Sequence, residues 1–237
     1  MGASADTTRK NTGRALAVRL ILTALGIGAW FGTQALISRR PLPPSGIGDG
    51  LHLLMAPLNQ YFLQHATAAN GLLIVSSSLI DLLAMFVLAR WVFGASVRPF
   101  LGLLILFALR QVMEALCALP MPPNMIWHYP GVPTLLVTYS VANDYYFSGH
   151  TAIAVFAAAE LARLGRRWLT MLGVVLVIFE VATVLILRAH YTMDVFTGII
   201  VALYVAHLVE RISPPIDGWL TRSYFKTLRK TIIKQAI

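Results

Sequence analysis

Charge is scarce in this 237-residue chain: Asp, Glu, Lys and Arg make up 12% of it, about half of the ~25% usual in soluble domains. With 57% of its residues hydrophobic, it does not read as a water-soluble domain. Lysine is absent between Lys10 and Lys226. No contiguous basic face therefore separates from the apolar runs, which speaks against a nucleic-acid binder despite a net charge of +9. The single cysteine, Cys117, excludes an intramolecular disulfide, a CxxC redox pair and a Cys-based zinc site, and leaves the redox compartment open.

What the chain has instead is long apolar runs. A bilayer core about 30 Å thick needs about 20 apolar residues per helix. Six stretches approach that length: Ala15 to Ile37, Gly71 to Val92, Phe100 to Leu119, His150 to Gly165, Trp168 to Leu187 and Thr192 to Val209. The expected fold is all-α, an integral membrane bundle of six transmembrane helices. A cytoplasmic segment (1–14) would precede the six-helix membrane domain (15–212), and a basic cytoplasmic tail (213–237) would follow it. A signal peptide competes for the N-terminus, because Arg9, Lys10 and Arg14 resemble a charged n-region. From Leu20 to Ile37, however, 18 residues pass without a charge, longer than a cleavable core of about 7–15. The fourth and sixth stretches are short, and their ends are the least defined.

Orientation follows from the cations. With both termini cytoplasmic, the inner segments hold 15 of the 19 Lys and Arg residues. Only Arg39, Arg40 and Arg188 fall outside, and Arg110 lies within the third helix. Leu51, Leu54, Met55, Leu58, Tyr61 and Phe62 recur at helical spacing, which suits a short helix in the outer interface; a covering loop fits equally. In the tail, Leu220, Tyr224, Leu228 and Ile232 form one stripe and Lys226, Lys230 and Lys234 another. They suit a basic helix on an anionic leaflet or a solvated tail. The Pro-rich pieces from Pro41 and Pro120 read as helix terminators.

Two polar segments emerge on the same, outer side of this plan. One is N-D-Y-Y-F-S-G-H-T, Asn143 to Thr151; the other is R-A-H-Y-T-M-D-V, Arg188 to Val195. Breaking a phosphate ester without metal needs a nucleophile, a proton donor for the leaving oxygen and fixed positive charge. His190 and Asp194 stand at i, i+4, so the carboxylate can hold one imidazole nitrogen and leave the other lone pair for attack. His150 opens a helix whose N-terminus, with Ser148 as cap, can cradle an anion, and it suits the general acid. The phosphate cations would be Arg188 and Arg110. Glu114, one turn after Arg110, is either its ion-pair partner or a group aimed at a cationic headgroup or acceptor hydroxyl. Asp81 is a further candidate partner for Arg110, while Glu160 and Glu180 suit interhelical hydrogen bonds. His52, His65 and His207 read as interface residues. No metal or other cofactor is expected, since no further ligand cluster accompanies the two histidines.

At these residues the chain resembles the sphingomyelin synthase family, within the type 2 phosphatidic acid phosphatase superfamily. The resemblance rests on S-G-H-T followed by H-Y-T-M-D-V, and on R-Q-V-M-E-A-L-C-A-L-P from Arg110 to Pro120. It implies a His, His, Asp triad facing the outer leaflet, with a headgroup passing through a phosphohistidine. His190 would be the nucleophile, Asp194 its orienting partner and His150 the acid and later the base. Asp144 matches the Asp of the family's C-G-D triplet, although Ala142 and Asn143 stand where its Cys and Gly would. The phosphatases' K-x6-R-P element is missing, and Val184 occupies the position of their arginine six before the second histidine. With so little positive charge, a singly charged phosphodiester fits better than a dianionic monoester.

The expected function is therefore a lipid phosphotransferase. It would move phosphocholine or phosphoethanolamine from a phospholipid donor to a lipid alcohol acceptor such as ceramide or diacylglycerol. Trp127, Tyr129 or Tyr145 could hold a choline by cation–π contact, though aromatics at a membrane interface are common in any case. The alternatives are a lipid phosphatase or phospholipase-type hydrolase on the same scaffold, and a non-enzymatic transporter or scaffold. The partners are the bilayer and its lipids, without nucleic acid, and a homo-oligomer is left open. The expected location is a bacterial cytoplasmic membrane with the site outside, with a Golgi-like membrane as the alternative.

Overall fold

The computed structural model describes residues 46–137, 139 and 145–235, with side chains to residue 219, and positions 21, 24, 25, 28, 31, 32 and 35. Most of the first expected span, Asp144 and the side chains of the tail stripes lie outside the described residues. The chain divides into two compact units, Met1–Gly48 and Asp49–Ile237, and the second holds all that follows.

Its regular structure, among the described residues, is helical throughout. Two short helices, α1 (Gly50–Leu54) and α2 (Ala56–Gln64), lead into α3 (Ala66–Val92) and α4 (Arg98–Leu116). After a long loop come α5 (Gly149–Ala162), α6 (Arg167–Ile186) and α7 (Thr192–Gln235). Four of these are long and apolar enough to cross a membrane: α3, α4, α6 and the Thr192–Trp219 part of α7. The protein is thus a multi-pass, all-helical membrane protein, and the second, third, fifth and sixth expected stretches each coincide with one of those helices.

Two expectations change. The fourth stretch becomes α5, only 14 residues, or about 21 Å at ~1.5 Å per residue, short of a bilayer core. It is the hub of the bundle, packed against α3, α4, α6 and α7. The sixth helix does not stop at Val209 but runs on through Pro214 and Pro215. Each proline removes an N–H from the helical ladder, and tertiary contacts hold the segment beyond them. Asp217 accepts from the Val97 amide and the Ser96 hydroxyl, both at 2.7 Å, at the turn between α3 and α4.

Why α5 lies at the centre follows from its composition, G-H-T-A-I-A-V-F-A-A-A-E-L-A. Lipid tails are as apolar as leucine, so helices in a membrane associate through close packing and interhelical hydrogen bonds instead of expulsion from water. Alanines let neighbouring backbones approach, and Phe156, fully buried, fills the space over Gly102 of α4. Polar ties pin the far end. Glu160, wholly buried, takes two bonds from Arg98, both 3.0 Å, and a third contact from Arg163 at 3.3 Å. Arg163 also pairs with Glu210 of α7. Nearer the middle of the bundle, Glu180 of α6 accepts from Ser76 of α3 at 2.6 Å. Glu160 and Glu180 are thus interhelical partners, as expected, whereas Asp81 does not pair with Arg110. Its carboxylate accepts from the Leu135 and Leu136 amides of the long loop.

At the other end two helices also approach closely, where a Cβ on Gly198 would lie 2.8 Å from the Ser148 carbonyl oxygen. Gly198→Ala should therefore destabilise the bundle by about 1–3 kcal/mol through overpacking. Gly218→Ala, with nothing within 4 Å of the new methyl, should show no steric cost. Unfolding midpoints of the two variants in one detergent check this; equal midpoints would refute the contact.

Candidate active site

α4 ends, α5 begins, α6 ends and α7 begins at the same end of the bundle, so the two polar segments meet there. The join is direct: the Ser148 amide donates to the Asp194 carbonyl at 3.2 Å. Ser148 is the N-cap of α5, its hydroxyl accepting from the Thr151 amide at 3.4 Å, as its place before an apolar helix suggested. It is fully buried and does not itself line the cavity.

Between these ends lies a cavity of about 70 Å³. Arg110, Gly149, His150, Tyr145 and His190 give it a polar wall, and Ile80, Phe107 and Ile153 an apolar one. Trp127 also lines it, its ring nearly perpendicular to that of His150 with centroids 5.1 Å apart. Arg110 reaches the start of α5, since a Cβ on Gly149 would come within 3.2 Å of its Nε. Glu114 is its ion-pair partner at 2.6 Å. Both histidines are buried, and His150 Nε2 has no hydrogen-bond partner among the described residues.

His190 is held differently from the expected arrangement. Its Nδ1 is 2.9 Å from the Tyr145 carbonyl oxygen. A carbonyl can only accept, so Nδ1 carries the proton and the neutral ring keeps its lone pair on Nε2. The i, i+4 bond from His190 to Asp194 is not formed. Asp194 is the third residue of α7, and its Oδ2 accepts from the Tyr191 amide just before the helix at 2.8 Å. That reach back to the first free donor is the carboxylate half of a capping box. Asp194 thus organises the turn that carries His190 while a backbone carbonyl from the other segment fixes the tautomer.

Arg188 is placed apart from the other expected cation. It is buried in a left-handed conformation, φ 55°. Its guanidinium donates to the Pro123 carbonyl at 2.9 Å and the His52 carbonyl at 3.2 Å. It ties its own turn to α1 and to the long loop and does not line the cavity.

Sequence reasoning passed over two residues that serve this turn. His52, read as an interface histidine, is buried against it, and Asp49 caps α1 through the Leu51 and His52 amides. Asp49 also accepts from the Thr192 amide and hydroxyl, both at 2.6 Å. The only local signal was an Asp followed by Gly before an amphipathic stretch, which suggests a cap but not what else the carboxylate holds.

The AtPDCT1/2 family matches residues 49–211, more than half of the chain. The protein belongs to the AtPDCT1/2 family. A relative is phosphatidylcholine:diacylglycerol cholinephosphotransferase 1 of Arabidopsis thaliana, 25% identical over 114 residues. The matched part is 48% of this chain and 36% of the relative, so the chain covers well under two thirds of that protein. No solved structure matches. The resemblance to sphingomyelin synthases therefore resolves into membership of AtPDCT1/2, with a relative that is by name a headgroup transferase of a related kind.

Burial works to raise the Asp49 pKa, but the hydrogen bonds from Thr192 and the His52 amide outweigh it and hold the carboxyl below its usual 3.8. A depressed folded-state pKa stabilises fully above the unfolded value and loses that contribution as pH falls through the folded value. The gap in unfolding midpoint between the wild type and Asp49→Asn should therefore shrink as pH is lowered from about 6 to about 3. A gap that stays constant would exclude an ionised Asp49.

Proposed function

We propose that this protein is a membrane lipid phosphotransferase that moves a phospho-headgroup from a glycerophospholipid to a lipid alcohol. Phosphatidylcholine and diacylglycerol, the pair named for the Arabidopsis thaliana relative, are the first donor and acceptor to consider; ceramide is the second acceptor. The observation that carries the reading is the shared cavity of His150, His190 and Arg110. Two histidines and one guanidinium suit a singly charged phosphodiester.

The chemistry proceeds in two displacements. The His190 Nε2 lone pair attacks phosphorus, an N–P bond forms, and the bond from phosphorus to the glycerol oxygen breaks while His150 in its protonated form gives that oxygen its proton. The acceptor hydroxyl then attacks phosphorus and His150 takes the hydroxyl proton back. The new P–O bond forms as the N–P bond breaks, which restores both rings. Arg110, oriented by Glu114, faces the phosphoryl oxygens together with the first amides of α5. Tyr145 holds His190 in the nucleophilic tautomer, and Asp194 and Arg188 act through the turn. Trp127 stands beside the transferred headgroup, where its face suits a choline. The distribution of cations along the sequence supports a topology with both termini cytoplasmic and with the cation-poor end that carries the cavity on the outside or in the lumen. The domain limits at residues 15 and 212 belong to the same reading.

The purified chain, reconstituted in vesicles with headgroup-labelled phosphatidylcholine, should label an added diacylglycerol or ceramide of distinguishable chain length. Label released as free phosphocholine at the same rate with and without acceptor would establish a hydrolase instead. His150→Ala and His190→Ala should each lower transfer by about 10²–10⁴-fold or more at an unchanged unfolding midpoint. Full activity in either variant would remove that histidine from the reaction.

A further inference from the structure

The turn that carries His190 is gripped by one short segment on its far side. His52 Nε2 lies 2.9 Å from the His190 carbonyl oxygen, so that nitrogen carries the proton and donates. Its ring stacks on Tyr191, with centroids 5.5 Å apart and 26° between planes. Its own carbonyl accepts from Arg188, and Asp49, three residues earlier, holds Thr192. Positions 188, 190, 191 and 192 are thus each bound to the Asp49–His52 segment.

Such a grip has a physical purpose. Arg188 occupies a left-handed backbone conformation at φ 55°, which costs of order 1 kcal/mol or more for a residue with a Cβ and persists only when surrounding contacts impose it. The turn also has to keep the His190 ring aimed into the cavity, because an error of about 1 Å in a reacting group can cost about 100-fold in rate. The Tyr145 carbonyl fixes the proton on the ring but acts only at its Nδ1 edge. Rotation of the residue about its backbone is restrained by whatever holds its carbonyl, and that is His52.

We infer that His52 is a positioning residue for His190, setting the direction of its imidazole through the hydrogen bond to its carbonyl. The segment that contributes it has a polar side turned to the site and an apolar side turned away, where Leu53, Leu54 and Leu58 are exposed. Asn59 of α2 extends the same polar side. Its amide donates to the Ile186 carbonyl at the end of α6, 2.9 Å, and to the Asn124 carbonyl, 3.2 Å. The α1–α2 segment therefore fixes both edges of the loop that bears the nucleophile of the proposed reaction.

The inference rests on that proposed reaction for its kinetic readout alone. His52→Phe keeps a ring against Tyr191 and removes the donor; His52→Gln returns an N–H near the same place. In transfer assays with phosphatidylcholine and diacylglycerol, His52→Phe should lower kcat by about 10-fold or more with KM changed by less than about 2-fold. His52→Gln should recover most of the loss. Independently of activity, amide hydrogen exchange at Tyr191 and Thr192 should speed up by about 10-fold in His52→Phe while α5 and α6 keep their protection. Unaltered kcat and exchange in His52→Phe would overturn the inference. So would an equal loss in His52→Gln, or faster exchange throughout the bundle, which would make His52 a general structural residue. If the wild type transfers nothing to either acceptor while the local exchange difference appears, the positioning stands and the proposed reaction fails.

Discussion

A single backbone hydrogen bond, from the Ser148 amide to the Asp194 carbonyl, joins the start of α5 to the start of α7, and the site depends on it. It brings together two segments separated by the whole of α5 and α6, each with one histidine. It forms only because α5 and α7 approach closely, and that closeness requires Gly198 beneath the Ser148 carbonyl. In a bundle surrounded by lipid, where burying leucine brings little, such steric permission and a few polar ties govern which helix surfaces meet. Glu160 with its two arginines and Glu180 with Ser76 serve the same end elsewhere in the bundle.

The two ends of the molecule use charge for opposite purposes. At the far end Arg98 and Arg163 are consumed by Glu160 and Glu210, and they stabilise packing. At the site end Arg110 faces the cavity with Glu114 beside it, while Arg188 is spent on one carbonyl of the long loop and one of α1. A chain with few cations thus places one guanidinium at the cavity wall and uses the other to shape the turn. Histidine is divided similarly. His150 and His190 line the cavity, and His52 grips the backbone behind it.

Much of this was legible in the residues themselves. Hydropathy located α3, α4, α6 and the first part of α7, because a lipid-facing helix must be apolar along its whole length whatever its neighbours are. The pairing of S-G-H-T with H-Y-T-M-D-V pointed to His150 and His190, and the Ser148 cap followed from local backbone chemistry. α5 was harder to delimit, since a helix screened by four others need not match the bilayer thickness. The continuation of α7 past Pro214 was hidden because the contacts that stabilise it come from Ser96 and Val97, far away in the chain.

The sequence by itself determined the solvent this protein lives in, the helices that meet it and the residue types available for chemistry, because these depend on local composition and spacing. Only the tertiary structure decided which groups hold one another. The i, i+4 spacing allowed Asp194 to hold His190, yet Asp194 turned to the Tyr191 amide and a carbonyl 45 residues away took the imidazole. Arg188 left the phosphate candidates for two distant carbonyls, and His52 became the support of a histidine 138 residues further on. A buried donor or acceptor must find a partner wherever folding brings one, and spacing along the chain cannot say which partner that will be.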